Sequence, residues 1–142
     1  SENHKALVNI LYTSSWITYK QSEIFKEFEL SMQQFNVLRI LKGQYPEAAS
    51  VNLLIDRMID KSSNASRIVE KLRLKGLVKR KTCKNDRRKV DVLITESGIE
   101  LVLKAGNKLN SLDELTSSLT ISEAKELNKL LNKLRSNNKQ EK

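Results

Sequence analysis

Apolar positions along this chain recur mostly at helical spacing. Leu7, Ile10, Leu11, Ile17 and Ile24, with Ser14 among them, form one stripe that predicts a long helix over about 4–28. Glu29-Leu30-Ser31 breaks it. Ser31 followed by Gln34 makes a capping box, with Leu30 and Phe35 placed for the accompanying hydrophobic staple. The next helix, about 32–43, is expected to bury Phe35, Leu38 and Leu41 and to stop at Gly43, ahead of a turn at Gln44-Tyr45-Pro46. A short third helix follows Ser50, carries Leu53, Leu54 and Met58, and is interrupted at Asp60-Lys61-Ser62. A fourth, about 63–75, sets Ala65, Ile68, Val69 and Leu72 on a single face, and Gly76 sits where a left-handed cap is expected.

The period then changes to two. Residues 78–82 and 89–94 read as strands, the second with Val90, Val92 and Ile94 on one face and Lys89, Asp91 and Leu93 on the other. Residues 83–88 form the polar tip of a hairpin. Thr95 caps a further helix, about 96–117. Thr120 with Glu123 makes a second capping box, with Leu119 and Ala124 as its staple, opening a last helix to about 135. Two short helices joined by a tight turn, the second one basic, make a helix-turn-helix, and a basic hairpin after it makes a winged helix. The fold class expected is therefore mainly α with a small β-hairpin wing.

Composition narrows the function. The 142 residues, 39% of them hydrophobic, suit one domain, and four Gly and one Pro imply long uninterrupted elements. No apolar run nears 18 residues and no secretory pattern opens the chain, so a soluble intracellular protein with no membrane role is expected. One Cys and one His leave no disulfide framework and no zinc site, and His4 reads as solvated surface. Nothing resembles a nucleophile–base constellation, a phosphate-cradling Gly loop or paired carboxylates, so no enzyme, metal or cofactor is expected.

Charge is distributed unevenly. Residues 57–91 hold thirteen Lys/Arg against four acids, a surplus equal to the +9 of the whole chain. A neutral scaffold carrying one basic element is the electrostatic footprint of a nucleic-acid reader. With the apolar face of the fourth helix inward, Ser63, Asn64, Ser66, Arg67, Glu70 and Lys71 face out. Arg67 suits guanine O6/N7; Asn64 suits adenine N6/N7 or a phosphate. Ser62, Ser63 and Ser66 suit phosphates near the helix start. In the wing, Asp86 and Arg88 are two apart and project to one side of an extended segment, where the carboxylate can orient the guanidinium for a narrow minor groove. Arg87 and Lys84 suit the phosphate backbone.

The run Asp86-Arg87-Arg88-Lys89-Val90-Asp91-Val92-Leu93-Ile94-Thr95-Glu96-Ser97-Gly98 resembles the wing signature of the MarR family of bacterial transcriptional regulators. Upstream, the segment from Ser66 to Arg80 is similar to that family's recognition helix and first wing strand, with Ser66 where Thr is common. The order of helices is similar over nearly the whole chain. The resemblance implies one MarR-like domain over 1–142: a DNA-binding lobe at about 32–95 and dimerisation helices at about 4–28 and 96–136. The apolar stripe of Leu127, Leu130, Leu131 and Leu134 agrees with a dimer interface.

The resemblance further implies a cytoplasmic homodimer that binds near-palindromic double-stranded DNA, usually as a repressor. Many members release DNA when a small aromatic or anionic ligand binds between the dimer body and the DNA-binding lobe. All seven aromatic residues lie in the first 45 positions, either as dimer core or as pocket lining, with Trp16 and Tyr19 the first candidates for the pocket. Cys83, flanked by Arg80, Lys81 and Lys84, is either an idle surface thiol or one activated by those cations. Two rival functions remain open from sequence: a nonspecific architectural DNA binder, and a winged-helix module that binds an acidic protein.

Overall fold

A left-handed residue, Glu29 at φ 54°, separates the first two helices, α1 (Glu2–Glu27) and α2 (Met32–Gln44). The capping box at the start of α2 forms as expected. Ser31 Oγ accepts the Gln34 N–H at 3.0 Å, and Gln34 Oε1 accepts the Ser31 N–H at 3.1 Å. Leu30 is buried in the core and Phe35 packs against it. Val37, Leu38, Ile40 and Leu41 are all buried, so α2 is enclosed on most of its circumference and forms the centre of the lobe. It runs one residue past Gly43, which is not left-handed; the Tyr45 N–H still reaches the Leu41 carbonyl at 3.0 Å. Pro46, which has no N–H to offer, follows directly.

The computed structural model describes residues 1–59, 64–83 and 85–136, with the backbone alone for Cys83, Arg87 and Arg88. After α2 come β1 (Ala49–Ser50), α3 (Val51–Arg57) and α4 (Ala65–Leu74), then β2 (Val78–Cys83) and β3 (Asp86–Ile94). The expected interruption at Asp60-Lys61-Ser62 lies outside the described residues. Leu54 from α3, Met58 at its C-cap, and Ala65, Val69 and Leu72 from α4 close over α2. The strands form one antiparallel sheet in the order β1-β3-β2. Only a hairpin was legible in the sequence; a strand of two residues carries no detectable period. Val92 and Ile94 are buried, with Val90 half-buried, as their alternation requires.

The end of α4 is a Schellman motif. Gly76 takes φ 74°, its N–H reaches Arg73 O at 2.9 Å, and the Leu77 N–H reaches Leu72 O at 3.0 Å. The next helix, α5 (Glu96–Leu109), is capped against this turn. Thr95 Oγ1 accepts the Gly98 N–H at 3.1 Å and donates to Gly76 O at 2.8 Å, while the Thr95 N–H donates to Leu77 O at 3.0 Å. A side chain at position 98 would strike the Leu77 carbonyl and come within 2.7 Å of Ile94 Cγ1, so only glycine fits.

The helix expected over about 96–117 ends at Leu109 and continues as a 3-10 segment, Asn110–Thr116. Asn110, Ser111 and Asp113 enter there, residues whose side chains compete with helical hydrogen bonds. Residues 1–109 form one compact unit, and a second begins at Asn110. Within the second, α6 (Ile121–Ser136) opens on its expected capping box: the Thr120 N–H donates to Glu123 Oε2 at 2.7 Å and the Glu123 N–H to Thr120 Oγ1 at 3.2 Å. Among the described residues no helix is long and apolar enough to cross a membrane.

Gly98→Ala is expected to lower the unfolding free energy by about 1–3 kcal/mol, since its Cβ is forced onto backbone rather than a flexible side chain. Urea titration followed by circular dichroism measures this.

Candidate nucleic-acid interface

Helix α4 begins two residues later than its apolar period suggested, because Asn64 caps it. Asn64 Oδ1 accepts the Arg67 N–H at 3.1 Å. Ser66, Arg67 and Lys71 are exposed on the face opposite Ala65, Val69 and Leu72. One flank of α4 borders a groove shared with the start of α2, lined by Ser31, Gln33, Gln34, Asn64, Arg67 and Lys71. Of the predicted recognition residues, the structure therefore brings Asn64, Arg67 and Lys71 together and adds Gln33 beside them. Ser62 and Ser63 lie outside the described residues.

The other flank is tied to the wing. Glu70 Oε1 and Oε2 accept Arg73 Nη2 at 2.7 Å and Nε at 3.0 Å, and Oε2 also meets Arg80 Nη2 of β2 at 2.8 Å. The Arg73 hydrogen bond and then the charges of Arg73 and Arg80 hold the Glu70 carboxyl below the usual carboxylate range; the same contact raises the Arg73 guanidinium. From sequence Arg73 had no assigned role, and Arg80 figured only as a cation near Cys83. The i,i+3 spacing of Glu70 and Arg73 was visible, but the link to β2 exists only in the folded lobe.

At its far end α4 is fastened to the joint between α1 and α2. Lys75 Nζ donates to the Glu29 carbonyl and to Gln34 Oε1, the latter at 3.3 Å. The cation thus lies at the carbonyl end of α1 while standing at the C-cap of α4.

In the wing, β2 and β3 pair regularly from Val78↔Ile94 to Thr82↔Val90, and then Cys83 pairs with Asp86. Arg87, Arg88 and Lys89 therefore fall between two successive pairs, opposite no residue of β2. The hairpin tip is narrower than the expected 83–88, since Cys83 and residues 86–88 belong to strands. The pairing expected between the Asp86 and Arg88 side chains falls outside the described residues. Asp86 is exposed; the side chains of Arg87 and Arg88, and all of Lys84, lie outside the described residues.

Trp16 and Tyr19 are 41% and 61% exposed on α1, and neither lines the grooves seen on the lobe. On α6, Leu127, Leu130 and Leu134 are exposed and Leu131 is half-buried. Among the described residues no cluster of His, Cys, Asp or Glu could hold a metal.

The sequence model of the MarR family matches residues 30–90, from the α1–α2 joint to the wing. The HTH-type transcriptional regulator MgrA of Staphylococcus aureus is 28% identical over 116 residues, 82% of this chain and 77% of MgrA. A MarR-like transcription regulator from Bacillus cereus superposes with a TM-score of 0.86 at 22% identity, covering 96% of this chain and 98% of that one. MepR of Staphylococcus aureus, solved as a DNA complex, superposes at 0.79 with 21% identity over 92% of this chain and 95% of its own.

Asn64→Ala removes the cap and is expected to cost about 1 kcal/mol, whereas Asn64→Asp keeps an accepting oxygen and costs less. Thermal unfolding of the two variants beside the parent separates these outcomes.

Proposed function

We propose that the chain, matched by the MarR family model over residues 30–90 and similar to the regulator MgrA, is a MarR-family transcriptional regulator acting as a homodimer that reads a near-palindromic duplex and represses the adjoining gene until a small ligand releases it. The observation that carries this reading is the outer face of α4. Ser66, Arg67 and Lys71 stand exposed on a helix capped by Asn64, closed at Gly76 and braced by Lys75 and Glu70. A recognition helix held at both ends and on its flank presents base-reading groups without having to order them on binding.

In this reading residues 32–95 are the DNA-binding lobe. Arg67 addresses guanine in the major groove, and Ser62, Ser63, Ser66 and Lys71 address phosphates. Asn64 joins the phosphate group: its carbonyl oxygen is engaged by the cap, which leaves the amide NH2 to donate and removes the paired acceptor that adenine needs. The wing supplies Lys84, Asp86, Arg87 and Arg88 to the backbone and minor groove.

Residues 4–28 and 96–136 form the dimer body. The stripe of Leu127, Leu130, Leu131 and Leu134 on α6 is covered by a second copy, as are Leu7, Leu11 and Tyr12 on α1, all exposed in the single chain. Trp16 and Tyr19, on the same helix, offer ring faces to a small aromatic ligand, whose preference for one lobe spacing would couple its binding to DNA release.

Fluorescence anisotropy against the gene's upstream duplex and a scrambled one, across a salt series, tests the reading. A preference of about a thousandfold or more at physiological salt is expected. Equal, salt-sensitive binding to both would indicate an architectural binder, and no binding to either would indicate a protein-interaction module. Arg67→Ala is expected to cost about 1–3 kcal/mol and to relax preference at one base pair. Leu131→Asp is expected to yield monomers by light scattering, because it buries an unpaired charge in the interface.

A further inference from the structure

Glu70 is the acid of α4, set among Arg67, Lys71 and Arg73 on a helix whose other exposed groups suit a polyanion. A carboxylate on such a surface weakens attraction to phosphates, and its fork with Arg73 and Arg80 does not make up for that through folding. Both arginine side chains are 43% exposed and Glu70 36%, and ion pairs this exposed add little to stability. What the fork does is occupy two guanidinium groups. Arg73 is held through two nitrogens and Arg80 through one, so neither is loose beside the base-reading face.

From this geometry we infer that Glu70 sets the specificity of DNA binding by withholding Arg73 and Arg80 from the phosphate backbone. The inference rests on the DNA-binding reading above and deepens it. Each phosphate that a Lys or Arg neutralises adds affinity for every sequence alike and steepens the dependence on salt. Holding two cations back lowers the sequence-independent part of binding and leaves the part due to Arg67 untouched, so the ratio between the right site and all others rises. The same fork spans α4 and β2, so the restrained pair also stays in fixed register between the major-groove helix and the wing.

The test uses the full-length dimer, with one duplex selected from a random pool by the parent protein and one of random sequence, each titrated across a salt series. Glu70→Gln is expected to bind the random duplex about tenfold more tightly, to steepen the slope of log K against log salt by about one to two, and to lower the selected-to-random ratio about tenfold. Adding Arg73→Gln or Arg80→Gln to that variant should return the slope by about one each. An unchanged slope and ratio would overturn the inference. So would weaker binding to both duplexes, which would make Glu70 a strut between helix and wing. Circular dichroism confirms that the variants are folded. A parent protein that binds no duplex would defeat the DNA-binding reading itself, whereas a binding parent with an unresponsive variant would defeat only this step.

Discussion

The lobe depends on how closely α5 approaches the turn between α4 and β2. The Leu77 carbonyl accepts the Thr95 N–H, the Gly76 carbonyl accepts the Thr95 hydroxyl, and Gly98 leaves room for both. Three elements meet within that turn: the last carbonyls of α4, the first residues of β2 and the cap of α5. Its left-handed glycine lets the chain reverse without exposing the carbonyl groups that end the helix. Lys75, one residue earlier, carries the same fastening to the joint between α1 and α2. The end of α4 that carries Arg67 is left exposed while the opposite end is secured to three neighbours.

Electrostatics is layered on this frame. The surplus of cations in residues 57–91 supplies attraction to any nucleic acid, which by itself would bind all sequences with similar strength. Discrimination requires that some of the charge be spatially committed. Among the described residues of the basic segment, Lys75 is committed to backbone and side-chain oxygens and the Arg73–Arg80 pair to Glu70. The Glu70 fork contributes little to folding, since its groups are exposed.

Local features were legible in the sequence because they are decided within a few residues. The boxes at Ser31/Gln34 and Thr120/Glu123, the left-handed Gly76 and the buried faces of α2, α4 and β3 all belong to this class. Gly98 was legible as part of a family signature, while its reason, the carbonyl behind it, was not. Features that depend on distant residues were missed. Lys75 and Glu29 lie 46 residues apart, and β1 becomes a strand only because β3 passes beside it. The bulge at 87–89 arises from a mismatch between two strands, and no pattern within one strand announces it. The late start of α4 shows the reverse case: Asn64 was assigned to DNA by its chemistry while its position assigned its oxygen to the helix.

β3 has neighbours on both sides only at Asp91 and Val92, where β1 joins it; beyond them toward the tip it pairs with β2 alone, at Val90 and Asp86. Mechanically this is a beam built in at one end. Counted along β2 beyond Lys81, its overhang is two residues, Thr82 and Cys83, about 7 Å at roughly 3.3 Å per residue. The deflection of such a beam grows steeply with distance from its root. Lateral support along the wing therefore falls outward, from three strands at Asp91 and Val92 to two at Val90 and Asp86. A strand of two residues, too short to notice in the sequence, sets the length of that overhang.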